Sequence, residues 1–140
     1  MKHIVGILLL LVPLIACEDD YRPNPVPNTR VNKIIYLDYH SELNAVGNSK
    51  YFKDAGYHRN GIIVTRKSTN TFIAFDATCP NDVEEDNHVV IEGSFAVCPM
   101  CDAKFNILID GSPMNEKSRY PLRSLKTSYK KSGNELRVYN

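Results

Sequence analysis

An excess of charge of either sign is missing from this chain. Seventeen Lys and Arg stand against sixteen Asp and Glu in 140 residues, and Lys2 is the only charged side chain among the first sixteen. The remainder is therefore balanced, which excludes a protein that holds nucleic acid through bulk electrostatics. Seven glycines and eight prolines are too few for a collagen-like or low-complexity chain. Long hydrophobic runs are also missing: Ile4–Ile15 is twelve residues interrupted by Gly6 and Pro13, against the ~20 needed to span a bilayer. No fifteen-residue window carries a 3.6-residue apolar period, so little helix is expected beyond one turn around Ser41–Val46. Internal repeats, GxGxxG, a P-loop and a nucleophile elbow are absent, and no catalytic constellation is legible.

What is present begins with a leader. Lys2 and His3 form a basic flank before the apolar run, which fits the h-region of a secretory signal. The run ends in Leu14-Ile15-Ala16-Cys17, which resembles the lipobox of bacterial lipoproteins. The resemblance implies a signal peptide over 1–16, cleavage before Cys17, and lipidation of Cys17, whose acyl chains anchor stably because each buried methylene contributes about 0.8 kcal/mol. The acidic triplet Glu18-Asp19-Asp20 resembles the surface-export tag of Bacteroidetes lipoproteins, although a solvated tether has the same composition. The implied location is a bacterial cell envelope, lipid-anchored in the outer membrane and either periplasmic or surface-exposed.

Residues 21–30 carry Pro23, Pro25 and Pro27, which favour extended polyproline II. Glu18–Arg30, thirteen residues, would reach roughly 40 Å at about 3.1 Å per residue. Residues 17–30 thus read as a stand-off tether and 31–140 as the folded domain. There, short β-branched and aromatic runs recur between Gly, Asn, Asp, Ser and Pro, giving expected strands at Val31–Leu37, Gly61–Lys67, Thr71–Asp76, His88–Glu92, Ser94–Val97, Lys104–Leu108, Leu125–Lys130 and Glu135–Tyr139. Ser68-Thr69-Asn70 and Ser132-Gly133-Asn134 read as hairpin turns. The domain is expected to be all-β.

With Cys17 lipidated, Cys79, Cys98 and Cys101 remain, and an odd number cannot all pair within one chain. Cys79-Pro80 and Cys98-Pro99 place a proline after the sulfur, and Cys98-Pro99-Met100-Cys101 is a CxxC whose sulfurs can face one metal or each other. His40 and His58 lie in polar, turn-like stretches and read as solvated, and Glu84-Glu85-Asp86 reads as an exposed loop tip.

Thr71–Asn81, Phe95–Cys101 and Lys104–Gly111, followed by Pro121-Leu122 and a terminal hairpin, resemble the Rieske iron–sulfur family. That family holds [2Fe–2S] with two cysteines on one iron and two histidines on the other. The resemblance implies an antiparallel β-sandwich with two cysteine-bearing loops at one tip, and Cys79 and Cys98 at the family's two cysteine positions. Asn81 and Cys101 then stand where the two histidines belong, and Asp102 where a glycine is usual. A Cys101 thiolate can ligate iron, whereas the neutral Asn81 amide is a poor partner, so a cluster needs a fourth ligand from Asp82 or His88.

Three readings stay open. In one, Cys79, Cys98 and Cys101 hold a [2Fe–2S] cluster and the domain passes single electrons to a redox partner. In another, the fold persists without a cluster as an envelope binding or scaffold module, with Cys98–Cys101 or Cys79–Cys98 available as a disulfide. In the last, the three thiolates and His88 hold a single Zn or Fe as a structural knuckle. The oxygenases of the family use a second domain carrying mononuclear iron, and some 110 residues leave no room for one. A carrier or binding module is therefore expected rather than a stand-alone enzyme.

Overall fold

The computed structural model describes residues 23–84 and 86–140; the leader and Cys17 lie outside them. Nine strands occur among the described residues: β1 (Asn32–Tyr36), β2 (Ser49–Phe52), β3 (Ile62–Arg66), β4 (Phe72–Asp76), β5 (Val90–Glu92), β6 (Phe95–Val97), β7 (Lys104–Asn106), β8 (Ser124–Lys130) and β9 (Glu135–Tyr139). Helix is limited to short 3-10 turns, one of them Ser41–Leu43 where a turn was expected. No helix among the described residues is long and apolar enough to cross a membrane. The domain is all-β. One sheet has the order β1-β9-β8-β4-β3-β2 and the other β5-β6-β7, and every strand pairing is antiparallel.

The period-2 alternation of β3 and β4 explains how two sheets share one domain. Ile62, Val64, Phe72 and Ala74 point into one core with Val31, Ile35, Leu125, Leu136 and Val138, so the large sheet curls around this cluster. Their neighbours Ile63 and Phe75 point the other way, into a second core with Ala96, Phe105, Ile107 and the cysteines. Buried on both faces, β3 and β4 read as near-continuous apolar runs. The small sheet is thereby fastened to the back of the large one. Each fully buried Ile, Leu or Phe contributes about 1.5–3 kcal/mol by removal from water.

Three expectations are corrected. β2 was not legible: Ser49–Phe52 is only half-buried along most of its length and lacks a polar–apolar alternation. His88 opens no strand; it makes an isolated bridge to Thr78, and β5 starts at Val90. The described part of the stand-off tether does not stand off. Val26 is fully buried, Arg123 donates to the carbonyls of Val26 (2.5 Å) and Asn24 (3.3 Å), and Asn24 donates to the Pro121 carbonyl at 2.8 Å. Asn140 donates to Asn28 at 2.7 Å and also to the Thr29 carbonyl. The segment bends at Pro25-Val26, where the Val26 N–H donates to the Asn24 side chain at 3.0 Å, and it forms a strap lying on the domain.

Candidate metal centre

β4 delivers the first cysteine loop. Asp76 ends the strand, and its carboxylate accepts the Tyr57 N–H at 2.7 Å and the Thr78 N–H at 2.9 Å. Burial pushes the Asp76 carboxyl above the ordinary carboxylate value, opposed by those same hydrogen bonds. Gly56 approaches so closely that a Cβ there would lie 2.7 Å from the Asp76 Oδ2, at a φ of +78° that favours glycine. Cys79 follows three residues on, and its carbonyl accepts the Asp82 N–H at 3.2 Å to close the turn.

Two buried asparagines then fix the loop that runs from Cys79 to His88. The Asn60 amide donates to the Thr78 hydroxyl at 3.2 Å and the Glu84 carbonyl at 3.3 Å. Asn87 donates to the Asp82 carbonyl at 2.8 Å, and its Oδ1 lies 3.6 Å from the Cys98 Sγ as acceptor. Neither asparagine was singled out from the sequence, since each reads there as an ordinary turn residue.

β6 delivers the second loop. Cys98 donates its N–H to the Ala103 carbonyl, and its own carbonyl accepts the Asp102 N–H, both at 2.9 Å. Asp102 adopts a φ of +58°, the left-handed conformation that glycine accepts most readily and Asp tolerates. The backbone conformation at this position is thus one that a glycine would favour. Asn115 braces the turn by donating to the Asp102 carbonyl at 2.8 Å.

These turns bring three sulfurs together. The Sγ atoms of Cys79, Cys98 and Cys101 all lie within 4.8 Å of one another, with Cys79 and Cys98 buried and Cys101 half-buried. The Cys79–Cys101 separation is 3.7 Å, and all three are free thiols. Asn81, exposed, donates its amide N–H to the Cys101 Sγ at 3.5 Å and to the Lys117 carbonyl. Burial and the adjacent Cys98 thiol push the Cys79 thiol well up. Burial opposes ionisation of Cys101 too, but the Ala103 N–H, the Asn81 amide and the other thiols outweigh it and hold Cys101 below the ordinary thiol value. Ionisation is thus easier at the half-buried Cys101 than at the buried Cys79.

Neither proposed fourth ligand joins the sulfurs: the group contains no His, Asp or Glu among the described residues. His88 is instead stacked on Tyr51, with ring centroids 5.0 Å apart and an interplanar angle of 19°. His40 is not simply solvated; it packs edge-on to Phe52 at 5.0 Å, and its buried Nδ1 has no hydrogen-bond partner. Three soft sulfur donors in mutual reach fit a thiophilic metal. The ligand set of a Rieske cluster does not fit, because Asn81 serves as a donor to sulfur and no imidazole faces the site among the described residues.

No family model and no curated protein matches the chain. Solved structures similar to it include the ferredoxin of carbazole 1,9a-dioxygenase from Nocardioides aromaticivorans IC177, at 20% identity over 79% of this chain and 97% of that one, with a TM-score of 0.49. A putative NADH-dependent nitrite reductase small subunit from Mycobacterium tuberculosis is similar at 15% identity over 81% and 97%, TM-score 0.47. A quaternary ammonium Rieske monooxygenase in its apo form is similar at 20% identity over 71% of this chain but 30% of its own, TM-score 0.47. The all-β two-sheet architecture and the meeting of both cysteine loops at one site are features of this chain's own structure. The likeness is one of fold, and what this chain does follows from its own ligands.

Proposed function

We propose that the domain is a single-electron carrier whose iron is held by the thiolates of Cys79, Cys98 and Cys101, on a chain anchored to a bacterial envelope membrane through lipidated Cys17. The observation that carries this reading is the convergence of the three thiols, two sealed in the core and one reaching solvent. Burial shields iron from hydrolysis, and the half-buried Cys101 leaves one edge for an electron to cross. Met100, beside it and 71% exposed, offers an apolar contact to a redox partner protein. The loops are already tied by Asn60, Asn87 and Asp76. A metal is therefore not needed to hold them, which favours a functional ion over a structural one. The anchor is supported by the basic flank, the short apolar run and the sequence Leu14-Ile15-Ala16-Cys17.

Anaerobic purification of the full chain, with metal analysis and visible absorption, tests the carrier. Bound iron whose thiolate-to-iron bands bleach reversibly with dithionite is the expected result. Colourless protein containing zinc would overturn it. A second reading is favoured by the 3.7 Å between Cys79 and Cys101: a small movement, with a two-electron oxidant such as dioxygen or an oxidising thiol–disulfide partner taking up the electrons and both protons lost, would let them close a disulfide in a metal-free binding module. Metal-free protein with one titratable thiol among the three would establish that reading instead.

A further inference from the structure

We infer that Cys79, Cys98 and Cys101 ligate one and the same metal ion, and that the fourth coordination position is open to a small exogenous donor. The inference rests on the metal-centred reading above and deepens it. A tetrahedral ion with metal–sulfur bonds of about 2.3 Å sets its sulfurs about 3.8 Å apart. The observed Cys79–Cys101 separation of 3.7 Å matches that edge, and the third sulfur lies within 4.8 Å of both. In a two-iron cluster the bridging sulfides hold ligands of different irons further apart than ligands of the same iron. Cys101 would there have to sit on the second iron, away from Cys79, with Asn81 as its companion.

Asn81 does not fill that role. Its amide N–H₂ is committed as donor to the Cys101 sulfur and the Lys117 carbonyl, so it stabilises thiolate charge rather than binding iron. No His, Asp or Glu among the described residues completes the set. Three protein ligands with a fourth position left open is the arrangement of reactive rather than closed structural sites. The exogenous donor would be water or hydroxide.

Anaerobic reconstitution of the full chain with Fe(II), with and without added sulfide, tests this through iron and acid-labile sulfide content and X-ray absorption. The expected result is one iron per chain in both samples, a first shell of three sulfurs and one lighter donor, no iron–iron scattering, and no retained sulfide. Two irons and two sulfides per chain with iron–iron scattering would overturn the single-ion inference while leaving the electron-carrier reading standing. No bound iron in either sample would overturn both. Co(II) loading supplies a separate readout: Cys101→Ser should lose one thiolate's share of the charge-transfer intensity, and unchanged intensity would overturn the inference.

Discussion

Asp76 is ionisable, almost wholly buried and three residues ahead of Cys79, and both its oxygens accept backbone N–H groups. Asparagine would turn an N–H₂ toward one of those donors, so Asp76→Asn should cost about 1–3 kcal/mol. The sign of the pH effect follows from the raised carboxyl. The folded state holds the proton more tightly than the unfolded one, so Asp76's contribution to stability is fully present below the ordinary carboxylate value and falls as pH rises through the folded one. The stability gap between the native protein and Asp76→Asn should therefore narrow from acid toward neutral pH; urea melts at both would show a constant or widening gap if the argument fails. A second residue-scale prediction concerns Asn87, whose Oδ1 lies against the Cys98 sulfur. Removing such outer partners typically costs 10–100-fold in metal affinity, and Asn87→Ala should do so in competition with a chelator. At this scale the three thiols were legible from their spacing, but Asn60 and Asn87 were not. Their importance arises from burial beneath the Cys79 loop, which no local pattern announces.

The two cysteine loops behave as elements because hydrogen bonds within the chain hold them. Metal removal should accordingly leave the domain folded, with near-unchanged circular dichroism and only a lowered melting temperature; collapse to an unfolded chain on chelation would instead make the ion structural. β3 and β4 form the wall between the two cores, and Phe75 fills the cysteine-bearing one. Phe75→Ala should cost about 3–5 kcal/mol, measured by denaturant unfolding, and should loosen metal binding along with stability. β3, β4, β8 and β9 were readable because β-branched and aromatic runs sat between turn residues. β2 was not, because Ser49–Phe52 owes its strand to pairing with β3 rather than to its own composition.

For the whole molecule, the strap of residues 24–30 changes how far the domain can travel from an anchor. Arg123, which holds the strap through the Val26 and Asn24 carbonyls, also offers its own carbonyl to the Asp76 N–H at 2.8 Å. The strap and the first cysteine loop therefore share one bracket. With residues from Asn24 onward docked, an anchor at Cys17 could lie no further from the domain than seven residues allow, about 25 Å at full extension. Arg123→Ala should release the strap, seen as new protease cleavage between residues 24 and 30. Resistance equal to the native chain would show that buried Val26 and the Asn24 and Asn140 hydrogen bonds hold it without Arg123. Cys17→Ser should leave an unprocessed or aqueous-phase form on detergent partitioning; persistence in the detergent phase as a processed form would reject the lipid anchor.

β1 lies at the edge of the large sheet, and its strand partner is β9, with Asn32 opposite Tyr139. Among the described strands, the first to be made waits for the last. Until residues 135–139 have been made, β1 lacks its strand partner and the curled sheet its closing seam, so the cost of joining distant parts of the chain falls when β9 arrives.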